Sequence, residues 1–189
     1  MSIGLFGGSF NPPHQGHVHV AEVALARLRL DRLWMMVTPG NPLKDHSELP
    51  SLATRIAAAR ALVRDPRILI TGFEATLGSS YSWATVRYLA RAYPHVRFVW
   101  VMGADNLAGF HRWQHWRRIA ETVPLAVVDR PGSTLAAHSS PAAGALARFR
   151  LSEVDAGGLK TRAAPAWVFI HARRNDLSST RLRVQGQSL

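Results

Sequence analysis

The stretch that most constrains this chain is its first strand, loop and helix, Ser2 to Leu30. Ser2-Ile3-Gly4-Leu5-Phe6 is short and apolar, as expected of a strand buried on both faces of a parallel sheet. Gly7-Gly8-Ser9-Phe10-Asn11-Pro12-Pro13 is expected to continue neither a strand nor a helix. From about Gly16 the apolar residues Val18, Ala21, Ala24, Leu25 and Leu28 recur at helical spacing. Two histidines, His14 and His17, therefore stand where a helix begins, three residues apart and facing the same way. Gly7 and Gly8 leave room for a ligand against the backbone. The helix N-terminus offers free N–H groups and a positive dipole end to a phosphate, and the imidazole N–H groups can donate to the same polyphosphate. The plainer alternative is that the histidines only cap the helix or face solvent.

The rest of the chain alternates in the same way. Strand-like runs are expected at Leu33–Val37, Ile68–Ile70, Val96–Met102, Leu125–Val128 and Ala166–Ile170. Helices are expected over about 52–63, 82–92, near Asn106, over 113–120 and over 141–149, with a short one after the last strand. Alternation of this kind requires right-handed crossovers, so the expected fold class is α/β: a Rossmann-like, doubly wound parallel sheet flanked by helices. Ligands then bind beyond the carboxyl ends of the strands. Those ends carry the histidine loop, Thr38 to Lys44, Gly103-Ala104-Asp105-Asn106 and Asn175 to Thr180.

Bulk properties exclude several classes. At 189 residues and 47% hydrophobic content the chain can bury a core and is not disordered. It has no apolar run long enough to span a bilayer and no visible export signal, so a cytoplasmic enzyme is expected. The absence of cysteine rules out disulfides, a thiol nucleophile and thiolate metal sites. Lys and Arg number 23 against 12 Asp and Glu. This surplus is mostly arginine (Arg27, Arg29, Arg32, Arg55, Arg60, Arg64), is read as solvated helix faces, and suits phosphorylated ligands.

The segment GGSFNPPHQGH resembles the nucleotide-binding signature of the nucleotidyltransferase superfamily, and its wording is most similar to bacterial nicotinate-nucleotide adenylyltransferases. Neither GxGxxG nor GxxxxGK[ST] occurs. Ser178-Ser179-Thr180-Arg181-Leu182-Arg183 resembles the superfamily's second phosphate motif. The resemblance implies one nucleotidyltransferase domain over 1–189, with a short C-terminal helix carrying that motif. It implies transfer of AMP from ATP to nicotinate mononucleotide, giving nicotinate adenine dinucleotide and pyrophosphate in NAD biosynthesis. His14 and His17 would be catalytic. Gly7, Gly8, Ser9, Lys44, Ser179, Thr180 and Arg183 would hold the ATP phosphates. Tyr81, Ser82, Thr85, Gly103, Asp105 and Trp113 would hold the mononucleotide, and Arg130 would border the ATP site.

Two of these matches depart from the family wording. Asn41-Pro42-Leu43-Lys44 replaces the usual Pro-Pro-His-Lys/Arg, and Ser82 replaces a threonine. Trp34 and Trp100 are expected in the core, and Trp116 is open. Mg²⁺ is expected on the phosphates, and no nucleic-acid or membrane partner; a homo-oligomer is compatible. Nicotinamide mononucleotide or phosphopantetheine as acceptor, and more distantly a basic nucleic-acid-binding module, are the competing readings.

Overall fold

The computed structural model describes residues 1–40, 49–78, 81–130 and 133–172. Its strands are β1 (Ser2–Gly8), β2 (Arg32–Val37), β3 (Ile68–Thr71), β4 (Arg97–Gly103), β5 (Leu125–Val128), β6 (Arg150–Leu151) and β7 (Trp167–Ile170). They form one sheet in the order β3-β2-β1-β4-β5-β7-β6, and every adjacent pair is parallel. The helices are α1 (Gln15–Arg27), α2 (Leu52–Leu62), α3 (Phe73–Thr76), α4 (Ser82–Ala92), α5 (Ala104–Gly109), α6 (Trp116–Thr122), α7 (Thr134–His138) and α8 (Pro141–Ala145). Tight 3₁₀ turns occupy Phe110–Arg112, Ala147–Phe149 and Glu153–Thr161.

The expected α/β class is what forms, because the central strands are apolar on both faces. One buried cluster includes Leu5, Trp100, Val127 and Phe169; the other includes Phe6, Val101, Ala126 and Val168. The odd and even residues of each strand thus serve opposite layers. Trp100 is fully buried, Trp116 joins the same cluster, and Trp34 packs against it only partly buried.

Chain order reverses between β1 and β4, which lie side by side with Leu5 opposite Trp100. A crevice opens at such a reversal, because the crossovers on its two sides leave in opposite directions. The loop after β1 and helix α5 after β4 are its two lips.

Several boundaries differ from the sequence expectations. Helix α1 stops at Arg27 rather than Leu30, since the Leu30 N–H bonds back to Leu25 O and the Arg29 N–H to Ala26 O. This is a Schellman closure with Arg29 in the left-handed position, φ 52°. Helix α6 begins at Trp116, not Trp113, because His115 at φ 55° breaks the regular path. The segment 141–149 splits into α8 and a 3₁₀ turn, and β6, α3 and α7 are elements that the sequence pattern does not predict. The short helix expected after the last strand lies outside the described residues.

Candidate active site

The loop leaving β1 is built around Phe10. This residue takes φ 45°, a conformation costly for a bulky side chain, and its ring is almost fully buried. It packs edge-on against Phe6 at 5.5 Å and against His17 at 4.9 Å. A Cβ on Gly8 would stand 3.1 Å from Phe10 Cζ, and one on Gly7 would stand 3.2 Å from Trp100 Cη2. A side chain on either glycine would therefore meet a protein ring, while both residues remain half-buried.

Beyond Phe10, His14 is the N-cap of α1. Its Nδ1 accepts the Gly16 N–H at 3.0 Å, and its own N–H donates to His17 Nδ1 at 3.2 Å. This is a capping box in which imidazoles do the work usually done by Ser and Glu. The Gly16 and His17 N–H groups are thus already bonded. At these two positions the helix has no free donor for a phosphate.

The two rings carry hydrogens of their own. With each Nδ1 an acceptor, a neutral imidazole carries its proton on Nε2. The two rings lie 3.8 Å apart, tilted by 35°. His14 Nε2 is buried and has no hydrogen-bond partner among the described residues. The His14 pKa is lowered to about 4 by burial first and by the Arg130 charge second, with Asp105 opposing. That of His17 is pushed well below its ordinary value by loss of solvent, then by His14 and Arg130. Both rings are neutral donors at pH 7.

The facing lip carries the ion pair between Arg130 Nη1 and Asp105 Oδ2, 3.1 Å apart. It lies directly over Gly103, where a Cβ would come within 2.4 Å of Asp105 Oδ1 and 2.7 Å of Arg130 Cδ. Gly103 is thus required by this close approach. The expected role of Asp105 as a hydrogen-bond acceptor has to operate alongside its partner Arg130.

Trp113 is half-buried, edge-on to Trp100 at 6.2 Å and to Phe110 at 5.3 Å. Tyr81 and Ser82 open helix α4, Tyr81 being exposed. Thr85 differs from expectation: it is fully buried, and its hydroxyl donates to Glu74 Oε1 at 3.2 Å rather than facing the crevice. Ser9 is half-buried and its carbonyl accepts from Arg55. Lys44, Ser179, Thr180 and Arg183 lie outside the described residues.

Arg55 departs from the sequence expectation. In place of a solvated helix face it has a buried one, with only 1% of its surface exposed. Its guanidinium donates to the carbonyls of Ser9 (2.7 Å), Thr38 (2.8 Å), Pro39 (3.2 Å) and Pro50 (2.9 Å). It therefore ties the loop after β1 to the loop after β2. One signal existed: Arg55 lies between Leu52 and Ala59 at the three- and four-residue spacing of an inward face.

No helix among the described residues is long and apolar enough to cross a membrane. Nor is there a group of three or more His, Cys, Asp or Glu side chains placed to hold a metal among them.

The Cytidylyltransferase-like family profile matches residues 5–185. A curated relative from Agrobacterium fabrum, named "Probable nicotinate-nucleotide adenylyltransferase", is 63% identical over 97% of this chain and 98% of its own length. One of the same name from Rhizobium meliloti is 61% identical over 97% of each chain. Among solved structures, Plasmodium falciparum nicotinic acid mononucleotide adenylyltransferase complexed with NaAD superposes with a TM-score of 0.70. That match covers 97% of this chain and 82% of the other at 14% identity, a likeness of fold.

Proposed function

This chain belongs to the cytidylyltransferase-like family, and on that premise we propose that it transfers AMP from ATP to nicotinate mononucleotide, releasing pyrophosphate. The product is nicotinate adenine dinucleotide, and the enzyme is a nucleotidyltransferase of NAD biosynthesis. The observation that carries the reading is the reciprocal capping of His14 and His17, which leaves two neutral Nε2–H donors at the reversal point of the sheet. The near-full-length relatives supply the acceptor's identity.

The nucleophile is the mononucleotide's own 5′-phosphate, already an anion. It attacks the α-phosphorus of ATP, the bond to the bridging oxygen breaks, and pyrophosphate leaves with its electron pair. No side chain needs to take a proton. Catalysis then rests on alignment and on stabilising charge as it moves. His14 and His17 donate to the α-phosphate and bridging oxygens, where their neutrality suits a hydrogen bond without proton loss. Arg130 brings positive charge to the same edge and Asp105 orients it. Lys44, Ser179, Thr180 and Arg183 hold the leaving phosphates, while Tyr81, Ser82 and Trp113 receive the pyridine nucleotide.

The protein's donor set fits a Mg²⁺ carried on the nucleotide rather than caged by side chains, since the crevice carboxylate Asp105 is paired with Arg130. Bound there, the ion would neutralise phosphate charge.

Pyrophosphate release from Mg-ATP tests the reading, with nicotinate mononucleotide, its amide and phosphopantetheine as separate acceptors. Turnover with the nicotinate form is expected. Release with phosphopantetheine alone would overturn the assignment.

A further inference from the structure

Helix α3 is a single turn, and its one buried residue is Glu74, only 2% exposed. Packing alone would be served better by an apolar side chain, because burying a carboxyl without a charged partner costs free energy. We propose that Glu74 is a positioning residue for the acceptor mononucleotide, its carboxyl tying Thr38 at the end of β2 to Thr85 in the first turns of α4. This rests on the reading that the start of α4 receives the mononucleotide.

Both partners are themselves buried, Thr38 at 7% and Thr85 at 0% exposure. Thr85 Oγ1 donates to Glu74 Oε1 at 3.2 Å, and the Thr38 side chain also hydrogen-bonds the carboxyl. Thr38 is a junction between the ends of β1 and β2. Its N–H donates to Gly8 O at 3.0 Å, its carbonyl accepts from Arg55 at 2.8 Å, and its hydroxyl donates to Gly40 O at 3.0 Å. A threonine hydroxyl has one hydrogen. That hydrogen goes to Gly40 in the structure, and an ionised Glu74 would compete for it.

The chemistry of the pocket agrees. Burial pushes the Glu74 pKa up to about 7, opposed only by the two hydroxyls, with no charged group contributing. A carboxyl can hydrogen-bond Thr85 and Thr38 together, which an apolar residue cannot do. Thr85 is the fourth residue of α4, one turn from Tyr81 and Ser82, so fixing it fixes the direction from which those two meet a ligand.

Steady-state kinetics with each substrate varied in turn tests this on the full-length enzyme. Glu74→Met, similar in volume but unable to bond, is expected to raise KM for the mononucleotide about 10-fold, leaving KM for ATP within about 3-fold. Glu74→Gln, which keeps an acceptor and a donor, should restore it to within about 3-fold of wild type. An unchanged mononucleotide KM in Glu74→Met, whatever its Tm, overturns the positioning role. If that variant does not fold, Thr85→Val decides. It should raise the mononucleotide KM alone, whereas a normal KM there refutes the link. A wild type that turns over no mononucleotide at all would instead overturn the function on which the proposal stands.

Discussion

Arg130 Nη1 lies 3.1 Å from Asp105 Oδ2, across a glycine that leaves no room for even one more carbon. Strands β4 and β5 are paired with Gly103 opposite Val128, so their ends bring the two charges together over the crevice. The pair sets the field felt by His14, which Arg130 lowers and Asp105 raises.

Gly103→Ala should therefore disable the enzyme without unfolding it. The new methyl would push aside Asp105 Oδ1 and Arg130 Cδ, both on side chains able to swing away. Asp105 is 45% exposed, so losing the pair costs little stability. A fall in kcat/KM of about 10-fold or more is expected, with Tm nearly unchanged, read by pyrophosphate release and calorimetry.

His17→Ala removes one ring donor and also frees the His14 N–H. Turnover should drop by ~10²-fold, as for one preorganised hydrogen-bond donor. Loss of the cap should cost only about 1 kcal/mol of stability. Single-turnover rates beside urea melts separate the two effects, and near-normal turnover would refute the catalytic assignment.

His14 should titrate with a midpoint about 4 in the free protein, visible as nitrogen chemical shifts of its ring. Because its folded pKa lies below the ordinary 6.5, the unfolded chain binds more protons between these values. Stability owed to this group is complete above pH 6.5 and is lost as pH falls towards 4. The wild-type minus His14→Gln difference in Tm should shrink in that direction.

Glu74 has the opposite sign. Its folded pKa of about 7 lies above the ordinary 4.5, so the folded state holds the extra proton between them. Its contribution is complete below pH 4.5 and disappears as pH rises through 7. Glu74→Gln should gain on the wild type by on the order of 3 kcal/mol between pH 4 and pH 8. Parallel pH–stability curves for the two proteins would contradict the burial of an ionisable carboxyl there.

Arg55→Met should destabilise the protein by roughly 3 kcal/mol or more, since it strips donors from the carbonyls of Ser9, Thr38 and Pro39. Arg55→Lys should not rescue it, because an ammonium cannot reproduce the planar fork. Chemical denaturation of the three proteins supplies the comparison.

By itself the sequence determined the alternation of strands and helices, the parallel sheet and the edge on which chemistry gathers. It also determined the histidine pair, because a double glycine, two prolines and a helical repeat are local signals, read within one turn or one strand. Tertiary structure alone decided which imidazole nitrogens are taken up by backbone N–H groups, since that depends on the fold of the loop. It decided that Thr85 faces Glu74, and that Arg55, read as a surface charge, is a buried strut for carbonyls up to 46 residues away. It filled the space beside Gly7 with Trp100, from a strand about ninety residues later in the chain. The physical reason is the same in each case. Periodicity records which face of an element is apolar, whereas the partners that satisfy a buried polar group come from segments brought together only by the order of strands in the sheet.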